Sequence, residues 1–129
     1  MRFLLALALT FSFACSAPVA RAPLPSGTIS HVVVCYLKTP GDAAARQKIV
    51  EAAKTFRQIP GVLSVEVGQP LLPSTRPVVV KDYDVACVIT LESRAALAAY
   101  GPHPIHLKAV TEVLNPLAAR IVIYDIVGE

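Results

Sequence analysis

The sequence predicts an α+β domain of chain order β-α-β-β-α-β: one antiparallel four-stranded sheet with helices on one face. Three observations carry this. Two near-continuous apolar runs, ISHVVVCYL at 29–37 and DYDVACVITL at 82–91, have the β-branched character of central strands. Two further strand patterns and two helical stretches fall between and after them in the order of a split β-α-β unit. A chain of 129 residues, 54% hydrophobic and only 16% charged, has the makings of a single well-filled core and no room for a second.

Each element has a local reason. MRFLLALALTFSFACSA opens with Arg2, an apolar stretch from Phe3 to Phe13 and then small residues, the pattern of a secretory leader over residues 1–16. Two processing outcomes stand: cleavage after Ser16, with Ala14 and Ser16 as the small residues, or lipid attachment at Cys15, for which Ser12 occupies a position that usually holds an aliphatic residue. Either outcome places the chain outside the cytoplasm, periplasmic, membrane-anchored or secreted. Residues 17–28, APVARAPLPSGT, read as a proline-rich tether, and the domain proper runs over 29–129. Pro40-Gly41 ends the first strand and Asp42 is placed to cap a helix over 43–57, where Ile49, Ala52, Ala53 and Phe56 share one face. IPGV breaks that helix. VLSVEVG then alternates as a strand at 62–68, and a loop follows at 69–77. After the 82–91 strand, Ser93 caps a short helix to Tyr100, Gly101-Pro102 interrupts it, and Pro104 opens a second piece to about Leu114. ARIVIYDIV at 119–127 closes the sheet. The second, outward face of the first strand (Val32, Val34, Tyr36) is itself apolar, which predicts a homodimer packed sheet to sheet.

Charge excludes one class. The net charge of +3 comes from scattered lysines and arginines with no dense basic stripe, so nucleic acid is not an expected partner. Cys35 and Cys87 lie inside apolar strands; buried thiols are the expected state, and an exported protein leaves a disulfide open.

The chemistry-bearing residues gather at the helix break. AAYGPHPIHLKAV places Tyr100, His103 and His106 within seven positions. An imidazole ordinarily titrates near neutrality, so His106 suits a general base, and a carboxylate on its far nitrogen would fix its tautomer. Asp125 on the closing strand is the candidate for that carboxylate, and Tyr100 for a hydroxyl donor to a developing oxyanion. A structural histidine–aspartate link between helix and sheet explains the same residues. His103, directly before Pro104, fits a helix cap, and His31 opens a buried strand as pocket wall or edge residue. His31, His103 and His106 have no nearby acid or thiol that completes a zinc pattern, and no phosphate loop or dinucleotide fingerprint occurs, so neither a metal nor a cofactor is expected.

HVVVCYL, IPGVLSVEVG, DYDVACVITLES, LAAYGPHPIHLKAV and the late Tyr-Asp pair together resemble the stress-responsive dimeric α+β barrel (Dabb) family over residues 30–126, most specifically in Tyr-x-x-His-Pro-x-His. The resemblance implies a ferredoxin-like fold that pairs into a dimeric barrel, and a cavity between sheet and helices for a small apolar molecule. His31, Val33, Cys35, Val85, Cys87 and His103 are the pocket residues so implied. The family includes stress-associated proteins without assigned chemistry and a cofactor-free polyketide cyclase, whose tyrosine, histidine and orienting aspartate correspond to Tyr100, His106 and Asp125. Where that cyclase carries a further histidine and a helix tyrosine, this chain has Val85 and a position near Ala52, so its substrate does not carry over. Three functions follow as expectations: binding of a small apolar molecule, a cofactor-free lyase or cyclase, and a stress-protective structural module.

Overall fold

The four strands are β1 (Ile29–Leu37), β2 (Val62–Gly68), β3 (Val85–Leu91) and β4 (Ala118–Val127). All neighbours run antiparallel, in the order β2-β3-β1-β4, with β1 and β3 central as their apolar runs demand. The computed structural model describes residues 25–129; the leader at 1–16, Cys15 and the tether up to residue 24 lie outside the described residues. The tether's last residues belong to the domain. Gly27 donates its amide to the Gly128 carbonyl at 3.0 Å, and Gly128 donates to Thr28 at 2.8 Å, so the two ends of the chain are tied beside one another.

The helices lie on one face of the sheet. Helix α1 (Ala43–Lys54) begins where Asp42 accepts from the amides of Ala44 and Ala45, then tightens into a 3-10 turn at Thr55–Gln58, ending the single helix expected over 43–57. Gly61 turns the chain into β2 at φ +83; a Cβ there would lie 2.7 Å from that of Ala96, so close approach and backbone sign both require glycine. Helix α2 (Arg94–Tyr100) starts from the Ser93 hydroxyl and α3 (Pro104–Ala109) from His103. The helical path does not stop at Leu114. A π turn (Val110–Leu114) leads into the short α4 (Asn115–Leu117), because Pro116 has no amide for the carbonyl one turn back and the ladder must re-space. Lys38 then caps the exposed end, donating from Nζ to the carbonyls of Asn115 (3.1 Å) and Pro116 (2.8 Å).

Asp84 is the other local surprise. It was expected within a strand beginning at 82, yet β3 starts at Val85. Its buried carboxylate accepts from the Leu37 amide at 2.8 Å and the Gly41 amide at 2.7 Å, clamping the β1–α1 turn and stopping the ladder there.

The core fills the space between sheet and helices in two adjoining clusters, one around Ile29, Phe56, Ile89, Leu91 and Tyr100, the other around Cys35, Leu37, Ile49 and Val85. The opposite sheet face carries Val32, Val34 and Tyr36 of β1 with Val122, Tyr124 and Ile126 of β4, and no helix among the described residues covers it. Near its edge the Arg120 guanidinium lies 3.8 Å from the Tyr36 ring centre.

Candidate functional site

Strand register places the first two groups. Along β1 the helix-facing positions alternate, and the register sets His31 beside Ile89 on β3 and Asp125 on β4. His31 Nδ1 stands 2.6 Å from the Asp125 carboxylate. The carboxylate accepts, so Nδ1 carries the proton. The pair lies at a boundary, with the His31 side chain 11% exposed and that of Asp125 50%.

The helix break places the other two. Tyr100 is the last residue of α2 and is 2% exposed; His106 is the third of α3. Between them, Gly101-Pro102 turns the chain so that the Gly101 carbonyl, left free at the end of α2, accepts from His106 Nδ1 at 2.7 Å. A carbonyl can only accept. The neutral His106 ring is therefore protonated at Nδ1 and keeps its lone pair on Nε2. Burial pulls the His106 pKa below its ordinary value, the Gly101 bond opposes this, and nearby His31 adds to the lowering. Burial, and secondarily Cys87, push the Tyr100 phenol well above the usual tyrosine range, so it stays a hydroxyl donor. The rings form one cluster: Tyr100 centres 4.5 Å from His106 and 5.6 Å from His31, while Phe56 packs 5.6 Å from Tyr100 and 5.7 Å from His106.

Two expectations need correction. Asp125 does not orient His106; the β1–β4 register gives it to His31, and a backbone carbonyl orients His106 instead. Cys35, Val85 and Cys87 are not an open pocket wall, since each is at most 6% exposed and sits within the packed clusters. Both thiols are free. Burial raises Cys35 to about 11, and burial together with Cys35 raises Cys87 to about 12. Val33 is half-buried and touches both clusters. His103 caps α3, its Nδ1 accepting from the Ile105 amide at 3.3 Å. Phe56 was read only as an apolar helix position and nothing in its spacing marked it as a ring neighbour of the site.

A groove of about 920 Å³ runs along the outer side of the helix layer, between α1 and the α3-to-α4 path. Ala52, Ile105, Ala109, Val113 and Leu117 form its apolar floor, with Lys48, Glu51, Lys108 and Glu112 along the rim. None of the ring-cluster residues lines it; Thr55 and Ile105, the chain neighbours of Phe56 and His106, do. The implied cavity between sheet and helices is thus occupied by side chains where Cys35, Val85 and Cys87 lie, and the open volume is between helices.

The profile of the Dabb, or Stress responsive A/B Barrel Domain, family matches residues 29–127. The chain belongs to the Dabb family. Among solved structures, a Dabb family protein with a ferredoxin-like fold from Mesorhizobium loti is 26% identical, with a TM-score of 0.65 over 80% of this chain and 98% of that one. A dimeric ferredoxin-like protein of unknown function from Thermobifida fusca is 19% identical, with a TM-score of 0.66 over 83% and 96%. A hydroxynitrile lyase from Passiflora edulis is 18% identical, with a TM-score of 0.64 over 81% and 96%. These last two likenesses show the fold alone. The comparison with curated proteins gives no match.

Proposed function

We propose that this Dabb protein is exported, works as a homodimer, and holds a small, largely apolar molecule in the groove between α1 and the C-terminal helices. The groove carries the reading. Its volume of about 920 Å³ suits a small organic ligand, and the small side chains at Ala44, Ala52 and Ala109 leave the space between the two helices unfilled. The dimer is supported by the uncovered apolar sheet face and by dimeric proteins of the same fold. Export rests on the leader pattern of residues 1–16.

The test is amide NMR of the purified domain titrated with medium-chain aliphatic and aromatic alcohols and aldehydes. Saturable shifts at Ala52, Ile105, Ala109 and Val113 are expected, and Ala52→Phe, which fills the groove, should weaken binding by about tenfold or more. Shifts that map elsewhere, or no saturation by any probe, reject the groove. Sedimentation velocity tests the dimer separately: the wild type should sediment as a dimer at micromolar concentration and Val34→Glu as a monomer.

A second reading, a cofactor-free lyase, is favoured by the protonation state of His106. Its Nε2 lone pair can take a proton from a ligand hydroxyl or α-carbon while the Tyr100 hydroxyl donates to the oxygen that gains charge. That a hydroxynitrile lyase has the same fold supports a lyase reading. This reading places its ligand at the ring cluster rather than in the groove, and for a probe that is turned over His106→Ala should lower turnover by about 10²–10⁴. Product formation at the wild-type rate would end this reading and leave the first.

A further inference from the structure

We infer that the long loop between β2 and β3 docks on an acidic phospholipid membrane, its aliphatic tip entering the lipid and its cations meeting the headgroup phosphates. None of its residues belongs to the ring cluster, the groove or the bare sheet face. Between Leu71 and Val80 it holds four large aliphatic side chains in solvent: Leu71, which is 89% exposed, Leu72, Val78, which is 80% exposed, and Val80. A single exposed apolar residue needs no explanation, but four within ten residues of one loop form a patch that water disfavours.

The loop is held in shape by its own bonds. The Val79 amide donates to the Arg76 carbonyl at 3.2 Å, closing a turn, and Lys81 Nζ donates to the Ser74 carbonyl at 3.1 Å, tying the second limb to the first. At the foot of the loop a cleft of about 380 Å³ opens against the start of α1, and Arg46 and Lys81 line it together with Leu72. Positive charge and aliphatic surface therefore adjoin.

Charge decides the occupant. Residues 67–81 carry Arg76 and Lys81 and no acid. Around the foot of the loop, Lys38, Arg46 and Arg120 meet Asp42, Asp82 and Asp84. Of these acids, Asp42 accepts from the first amides of α1, and Asp84 is buried against the Leu37 and Gly41 amides. Lys38 and Lys81 rest on neutral carbonyls and keep their full charge. This pole of the molecule thus offers cations to a layer of phosphates, the attraction that draws basic segments to acidic lipid. A protein partner fits less well: residues 69–82 contain no aromatic side chain, and aromatic anchors dominate protein interfaces. Aliphatic side chains beside cations match acyl chains lying beneath headgroups.

The chain has no tryptophan, so Leu71→Trp places a single fluorescent reporter at the tip. It is made in the full chain together with Cys15→Ser, which prevents lipid attachment, and titrated with phosphatidylcholine vesicles that contain or lack phosphatidylglycerol. With phosphatidylglycerol present, the emission should shift to the blue and be quenched by brominated acyl chains. Leu107→Trp, on the exposed side of α3, should stay unquenched in the same assay. Arg76→Gln and Lys81→Gln, added to the tip reporter, should each weaken partitioning by about fivefold, and raised salt should weaken it as well. Far-UV circular dichroism checks folding, and Val78→Trp replaces the first reporter if that variant unfolds. A tip reporter that stays unquenched overturns the inference, even where the chain sediments with vesicles through its N-terminal residues. Equal partitioning into vesicles without phosphatidylglycerol overturns it too. A blue shift that follows protein concentration without lipid also overturns it, in favour of a second copy at the loop. None of these outcomes touches the groove reading, which the amide titration tests separately.

Discussion

His106 is held by a main-chain carbonyl rather than a carboxylate, and that choice sets its charge. With burial as the main cause, its pKa in the folded protein lies below the ordinary 6.5. The unfolded chain therefore takes the proton first as pH falls. The stability that neutral His106 confers is complete above that ordinary value and drains away as pH drops through the interval down to the folded value. Urea unfolding at about pH 7.5 and about pH 5.5 should show a smaller loss of stability for His106→Leu than for the wild type; equal losses would mean the imidazole is not held neutral. Cys35 and Cys87, raised to about 11 and about 12, should resist a thiol reagent in the native state and react only on unfolding; prompt labelling would contradict their burial. The residues of the site were legible because chemistry-bearing side chains crowd around Gly101-Pro102, while their partners were harder to read. One partnership was within reach: laying the ends of β1 and β4 against each other, Ile29 on Val127, sets His31 opposite Asp125. The resemblance to a cyclase drew the aspartate to His106 instead. The Gly101 carbonyl and the Phe56 ring left no trace in spacing, because a backbone group has no residue type and an aromatic ring on an apolar helix face is ordinary core.

Elements were read most reliably where a cap or a breaker marks them. Asp42, Ser93 and Pro104 each begin a helix where expected, since each satisfies or removes a free amide in the first turn. Errors fall where long-range contacts decide. The early end of the β3 ladder at Asp84 depends on groups brought in from elsewhere, the Leu37 and Gly41 amides. The π turn has a local cause in Pro116, but a proline near a helix end more often signals a stop than a re-spacing. Gly61 offers the sharpest test at this scale. Gly61→Ala places a methyl 2.7 Å from Ala96 at a φ of +83, so a loss of about 1–3 kcal/mol is expected in urea unfolding, with the midpoint lowered and the slope unchanged. A loss under a few tenths would show that α2 shifts freely away from the turn.

At the scale of the whole molecule, the sheet order and the one-sided helix layer follow from the chain order of apolar runs, which is why the architecture could be read before any contact was known. What the pattern could not locate was open space: two helices lined by alanines leave a groove, whereas the β-branched strand residues beneath them close the interior. The amide links joining Gly27 and Thr28 to Gly128 have a further implication. Because beginning and end of the described chain already meet at one pole of the sheet, a short glycine linker could fuse them, and new termini could be opened in the largely exposed 71–82 segment at the opposite pole. Such a circular permutant should fold to the same four strands and keep the ring contacts of Tyr100. A permutant that lacks cooperative unfolding would reveal that the order of synthesis, and not only the final set of contacts, is needed to assemble this sheet.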